Sequence, residues 1–277
     1  MALECAGRSL DLTRPRVMGI LNITPDSFSD GGNFFCLDTA LSQARKMVDE
    51  GADIIDVGGE STRPGAEPVS AQQEMDRVIP VIQALTSELP VIVSIDTSKA
   101  VVMREAVAAG AGLVNDVMAL REAGALEAAR DTGVPVCLMH MQGEPRTMQR
   151  QPVYRDVVRE VRAFLAARVA ACEAAGITGD RLLLDPGFGF GKTTEHNLCL
   201  LKNLGSLTDR GLPLLIGISR KSMIGTILGG VSVQRRLYGS LAAAVMAVER
   251  GASIVRVHDV KPTVDALKVA AAVLQQG

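Results

Sequence analysis

The chain has 277 residues, 47% of them hydrophobic and only 3% aromatic, with a formal net charge of −2. That length suits one α/β unit better than two, the charge balance offers no basic surface for nucleic acid, and no apolar run reaches the roughly 20 residues that span a bilayer. Five scattered cysteines without a CxxC pair, and a stretch 1–16 without an apolar signal-peptide core, lead to the expectation of reduced thiols in a cytoplasmic protein.

Residues 1–16 precede the first strand and read as an extension of the domain. Short apolar runs then begin near residues 17, 53, 91, 113, 135, 182, 214 and 254, which makes eight strands. Helical periodicity fills the intervals: Leu37–Glu50, Ser70–Leu89, Lys99–Ala109, Ala125–Asp131, Tyr154–Ala175, Thr194–Leu204, Arg236–Arg250 and, last, Val260–Gln275. Gly51, Gly110, Gly133, Gly176 and Gly251 stand where helices stop, as left-handed caps do. With few aromatics, the core must be Ala, Val, Ile and Leu, as in parallel sheets covered by helices. The repeated strand–helix beat favours a single-domain (β/α)8 TIM barrel over 1–277, with a doubly wound open sheet as the alternative.

Many of the apolar strands end in a polar residue: Asn22, Asp56, Asp96, Asp116, His140, Asp185 and His258. A ring of such groups marks the mouth of a parallel barrel, where catalytic sites lie. The most distinctive stretch is Asp185-Pro-Gly-Phe-Gly-Phe-Gly-Lys-Thr193, a strand end opening into a glycine loop. Two long polar loops, from Thr24 to Phe35 and from Gly58 to Val69, follow early strands and read as active-site lids.

Two kinds of chemistry fit these positions. Thr62 and Arg63 in the second lid, with Arg256 and His258 two residues apart on the last strand, suit an anion, because guanidinium forks match phosphate oxygens. Asn22 can give an oxygen to Mg²⁺ already held by phosphate. Asp96, Asn115, Asp185 and Lys221 make a poor nucleophile set. They suit a flat heterocycle with donors and acceptors on its edge. The competing assignments are a structural salt bridge for Arg256, a satisfied buried ring for His258, and helix capping for Asp96 and Asp185. Three other motifs fail. Gly187-Phe-Gly-Phe-Gly-Lys-Thr193 is like a Walker A loop but has Pro186 where that motif needs glycine. The three histidines lack zinc-ligand spacing. In Ser219-Arg-Lys-Ser222 the serine and lysine are two apart, not three as in an SxxK nucleophile.

The segments Asn22-Ile-Thr-Pro-Asp-Ser-Phe-Ser-Asp-Gly31, Asp56-Val-Gly-Gly-Glu-Ser-Thr-Arg-Pro-Gly65, Ile95-Asp-Thr-Ser98, Asn115-Asp116, Met139-His-Met-Gln142, Asp185-Pro-Gly-Phe-Gly-Phe-Gly191, Ser219-Arg-Lys-Ser222 and Arg256-Val-His258 together resemble the dihydropteroate synthase family, in its bacterial, monofunctional form. The resemblance runs from about residue 17 to 262. It implies a pterin-binding TIM barrel of folate synthesis, a sulfonamide target. Such a transferase joins 6-hydroxymethyl-7,8-dihydropterin diphosphate to 4-aminobenzoate, releasing diphosphate and dihydropteroate. By the same resemblance, pterin contacts fall on Asp96, Asn115, Asp185 and Lys221, and diphosphate and magnesium contacts on Asn22, Thr62, Arg63, Arg256 and His258. Aminobenzoate contacts fall on Phe28, Thr62, Pro64, Phe190, Lys221 and Ser222, and catalytic weight on Asp96, Lys221, Arg256 and His258. A homodimer is implied as well. Two rivals are a methyltetrahydrofolate-binding methyltransferase barrel, which should lack the diphosphate set and the Ser-Thr-Arg-Pro lid, and a catalytically silent barrel that binds a partner protein.

Overall fold

The computed structural model describes residues 1–23, 33–61, 67–143, 148–149, 151–207 and 211–274, with the backbone alone for 33–36. The strands are β1 (Ala2–Cys5), β2 (Arg8–Asp11), β3 (Arg16–Asn22), β4 (Ile54–Gly58), β5 (Ile92–Asp96), β6 (Leu113–Asp116), β7 (Val136–Met139), β8 (Leu182–Asp185), β9 (Leu214–Ile216) and β10 (Ala252–Val257). The helices are α1 (Asn33–Asp49), α2 (Ala71–Glu88), α3 (Ala100–Ala108), α4 (Ala125–Thr132), α5 (Val157–Ala174), α6 (Thr194–Lys202), α7 (Ser222–Ile227), α8 (Leu237–Glu249) and α9 (Val260–Leu274).

Strands β3 to β10 close into a barrel in sequence order, with β10 pairing in parallel to both β9 and β3. The open-sheet alternative is thereby excluded. All eight barrel strands stand where the apolar runs placed them. The five anticipated glycine caps are left-handed, with φ from 76° at Gly133 to 108° at Gly110. Helix starts follow side-chain chemistry: Ser70 accepts the N–H of Gln73, whose side chain accepts the N–H of Ser70 in return. Asp156 caps α5 through the N–H of Arg159, so that helix begins later than the expected Tyr154.

Because strand side chains alternate, each barrel strand sends one set inward and the other under the helices. The outward set, including Ile55, Val57, Ile95, Val114, Leu138, Leu184, Ile216 and Val255, forms the main core with helix residues such as Ile82 and Leu165. Inward, every strand gives one apolar side chain to a lower layer: Met18, Ile54, Ile92, Leu113, Cys137, Leu183, Leu215 and Ile254. Two residues further along, five of the eight strands turn polar, at Asp56, Ser94, Asn115, Asp185 and Arg256, while the other three carry Ile20, Met139 and Gly217. The pleat thus stacks a charged storey on an apolar floor.

Two elements were not anticipated. The short α7 follows the seventh barrel strand. The first residues, read above only as an extension, form the antiparallel hairpin β1–β2. Its Leu3, Cys5 and Leu10 pack onto the lower layer and stopper that end of the barrel. Gly112 allows the approach: a Cβ there would lie 2.9 Å from the carbonyl carbon and oxygen of Cys5. Gly112→Ala should therefore push the hairpin off its seat and cost about 1–3 kcal/mol, read as a lower urea midpoint; an unchanged midpoint would show that the stopper is not tightly seated.

Candidate functional site

The upper interior is organised around Arg256. Its Nε donates to Asp56 Oδ2 at 2.6 Å and its Nη2 to Asp96 Oδ2 at 2.7 Å. Asp56 has no exposed side-chain surface, and Asp96 and Arg256 have only 10% and 20%. Burial works against the charge of Arg256, yet Asp56 and Asp96 together hold its pKa above the ordinary value. Burial pushes the Asp96 carboxyl up to about 7, with Arg256 pulling the other way and Asp56, Glu74 and Asp116 adding to the rise. Asn115 donates from Nδ2 to Asp56 Oδ2 at 3.1 Å. Since Asp56 can only accept, this contact fixes which way the amide faces and leaves its carbonyl oxygen as an acceptor.

Asp185 ends β8 and accepts the N–H of Gly187 through Oδ1 at 2.7 Å. Burial raises its pKa, opposed by Lys221. Burial lowers Lys221 to about 8, with Asp185 supporting its charge. The Lys221 ammonium donates to the Phe188 carbonyl and stands 4.5 Å from the centre of the Phe190 ring. Ser222 follows as the first residue of α7. Neither Asp96 nor Asp185 caps a helix, because Lys99 and Thr193 hold the cap positions of α3 and α6. His258 meets Ser219, with Nδ1 and Oγ 3.1 Å apart.

The sequence-derived set therefore splits. Asp96, Asn115 and Arg256 are joined through hydrogen bonds, and Asp185, Lys221 and Phe190 stand together beside them. Phe28, Thr62, Arg63 and Pro64 lie outside the described residues. The salt bridge weighed against a functional Arg256 is present, but it occupies two of the five N–H donors of the guanidinium. Two strand-end residues leave the ring. Asp116 instead accepts from Ser98 Oγ at 2.5 Å and from the N–H groups of Met118 and Leu120, organising the following turn. His140 is buried and its Nδ1 lies 2.9 Å from Lys192 Nζ.

Comparison with known proteins matches the family described as pterin binding enzyme over residues 18–258. The dihydropteroate synthase of Escherichia coli (strain K12) is 56% identical over 274 residues, 99% of this chain and 97% of the relative. The crystal structure of Yersinia pestis dihydropteroate synthase with a sulfonamide drug complex superposes with a TM-score of 0.95 at 55% identity, covering 99% of this chain and 100% of that one. The chain belongs to the dihydropteroate synthase family. The Xanthomonas albilineans dihydropteroate synthase in complex with 7,8-dihydropteroate also superposes, with a TM-score of 0.91 at 50% identity over 99% of both chains.

Within this dihydropteroate synthase barrel, Asn22 ends β3 beside Gly58. A Cβ at Gly58 would lie 3.6 Å from Asn22 Oδ1 and 3.9 Å from Asp96 Oδ2, so two oxygens border one spot at the mouth. Among the described residues no cluster of three His, Cys, Asp or Glu could hold a metal. One or two protein oxygens are what Mg²⁺ uses when phosphate and water fill the other positions. Asn22 Oδ1 is the oxygen that could take such a position, since Asp96 Oδ2 already accepts from Arg256.

Two further residues shape the site. Asp56, read in the sequence as one of the polar residues at the mouth, stands two residues beyond an inward apolar side chain and lies within β4, two residues short of its end; its pairing with Arg256 was not anticipated. Lys192 lies in the stretch already excluded as a Walker A loop by Pro186. It turns inward instead, donating to the carbonyls of Gly187, Phe190 and His140 at 2.9, 3.0 and 3.3 Å, and so tethers the glycine loop to the end of β7. Burial brings Lys192 down to about 7, while Asp185 favours its charge.

Asp96 also sets a pH dependence. Its folded pKa, about 7, exceeds the ordinary 3.8, so the folded chain holds a proton that the unfolded chain has released. Its contribution to stability is complete below about 3.8 and is lost as pH rises through about 7. Asp96→Asn removes that loss. The stability difference between variant and parent in urea should shift in favour of the variant from pH 5 to pH 8, and a difference constant with pH would place the Asp96 pKa at the usual carboxylate value.

Proposed function

We propose that the chain condenses 6-hydroxymethyl-7,8-dihydropterin diphosphate with 4-aminobenzoate to give 7,8-dihydropteroate and diphosphate. The observation that carries this reading is the convergence at one barrel mouth of Arg256, Asp96, Asn115, Asp185 and Lys221. A hydrolase-like nucleophile is not needed there, and the set matches a polar heterocycle joined to an anion.

Asp185, with one oxygen held by the Gly187 N–H, turns the other to the N–H groups of the pterin edge. Asn115 offers its carbonyl oxygen beside it. Lys221 donates to a ring acceptor and helps to balance Asp185. The free N–H groups of Arg256 take diphosphate oxygens together with His258, Thr62 and Arg63. Asn22 would hold magnesium together with the phosphates, and the ion when bound would supply further neutralisation of the leaving group. When the carbon–oxygen bond breaks, its electron pair leaves with diphosphate and positive charge spreads from the methylene carbon into the pterin. Asp96 stabilises that charge electrostatically. The arylamine lone pair then forms the carbon–nitrogen bond, and the amine proton passes to solvent. Phe28, Thr62, Pro64, Phe190, Lys221 and Ser222 receive aminobenzoate, with the apolar ring of Phe190 against its face.

Incubation with the pterin diphosphate, 4-aminobenzoate and Mg²⁺ tests the reaction by the appearance of dihydropteroate. Asp185→Asn should weaken pterin binding roughly ten- to hundredfold, the worth of one charge-assisted pair. Calorimetry giving parental affinity would remove Asp185 from the site.

The protein also reads as a cytoplasmic homodimer. Cys5, Cys137, Cys172 and Cys199 are free thiols, as a reducing compartment allows. Helices α8 and α9 pack side by side, and their Tyr238, Val269 and Val273 are 81%, 68% and 68% exposed, a face suited to a second copy. Tyr238→Glu with Val269→Glu should yield a monomer in sedimentation velocity; a parental profile would put the contact elsewhere.

A further inference from the structure

Ser219 follows the seventh barrel strand and is buried, with 7% of its surface exposed. Its Oγ accepts the backbone N–H of His258 at 3.2 Å and lies 3.1 Å from the Nδ1 of the same residue. The neighbouring residues pair in the same way: Arg220 donates from Nε to Asp259 Oδ2 at 2.8 Å. Arg220 itself is fixed in a left-handed conformation, φ 58°. Its N–H donates to Ser240 Oγ at 2.9 Å and its carbonyl accepts from Arg236 at 3.0 Å. The two loop ends are therefore clamped side by side, which keeps Ser219 next to the imidazole.

A hydroxyl has one proton to give. That of Ser219 meets no other acceptor among the described residues, and a buried donor without a partner is costly. We infer that Ser219 is a positioning residue whose hydroxyl donates to His258 Nδ1 and holds the neutral ring in the tautomer with its proton on Nε2. The backbone N–H contact supports this direction, because it already supplies Oγ with a donor. A histidine fixed in this way offers an N–H to an anionic oxygen. Its lone pair is committed to Ser219, so the ring acts on the leaving group and does not take the proton of the arylamine. This consequence rests on the preceding reading of His258 as a diphosphate contact; the tautomer itself does not.

The test is two-bond ¹H–¹⁵N correlation on uniformly ¹⁵N-labelled protein at alkaline pH. The chain has only three histidines, and a His258→Gln sample assigns the signals of His258. The expected result is an unprotonated Nδ1 and a protonated Nε2. Ser219→Ala should release the ring to a mixture of tautomers and weaken diphosphate binding, measured calorimetrically with Mg²⁺, roughly three- to tenfold. A proton on Nδ1 in the parent protein overturns the assignment, whether or not the variant folds. So does a Ser219→Ala protein with parental tautomer and parental diphosphate affinity. The expected tautomer change in a parent protein that forms no dihydropteroate would support the Ser219 assignment and count instead against the reaction proposed above.

Discussion

One guanidinium makes the upper half of the barrel possible. Carboxylates withdrawn from water are expensive unless a counter-charge meets them in good geometry. Arg256 spans from Asp56 to Asp96 and so allows both to stay inside. The consequences run outward from that contact. Asp56, held by Arg256, orients the Asn115 amide. Asp96, only partly compensated, keeps a raised proton affinity. The contacts to Asp56 and Asp96 use two of the five N–H donors of Arg256. The ion pairs of Arg256 are thus compatible with the diphosphate role proposed for its other donors, and the two roles weighed against each other in the sequence do not compete.

The eight strands and most helices could be read from the amino-acid order because apolar periodicity and glycine caps are local signals. Asp96, Asn115, Asp185, Lys221 and Arg256 were legible for a related reason, since polar residues near the ends of apolar strands conflict with the core around them. What escaped notice depends on distant partners. Asp56 is legible as part of the polar ring, but not as the counter-charge of a residue 200 positions away. The direction of Lys192 is decided by three carbonyls on two loops, which the failed Walker A motif around it gave no way to foresee. Strands β1 and β2 are four residues each. Their apolar content, Leu3, Cys5 and Leu10, has meaning only once a barrel floor exists to receive it.

The same pleat that builds the site also divides the labour within each strand. Moving along β4, Ile54 belongs to the floor and Asp56 to the charged storey. Along β8, Leu183 and Asp185 repeat the pattern, as do Ile254 and Arg256 along β10. A single-residue slip in any of these strands would place a charge under the helices and an apolar side chain in the mouth. Register, stability and site geometry are therefore specified by the same few positions.

The hairpin stopper gives the barrel a closed floor, so the molecule is a cup and not a tube. Traffic in a cup is governed by depth. Asn115 and Asp185 belong to the strand ends, and Phe190 and Ser222 to the segments beyond them, so a group seated against the first pair would have to enter before one resting on the second. Such a cup would load in the order of a stack, and among the described residues the hairpin leaves its floor closed.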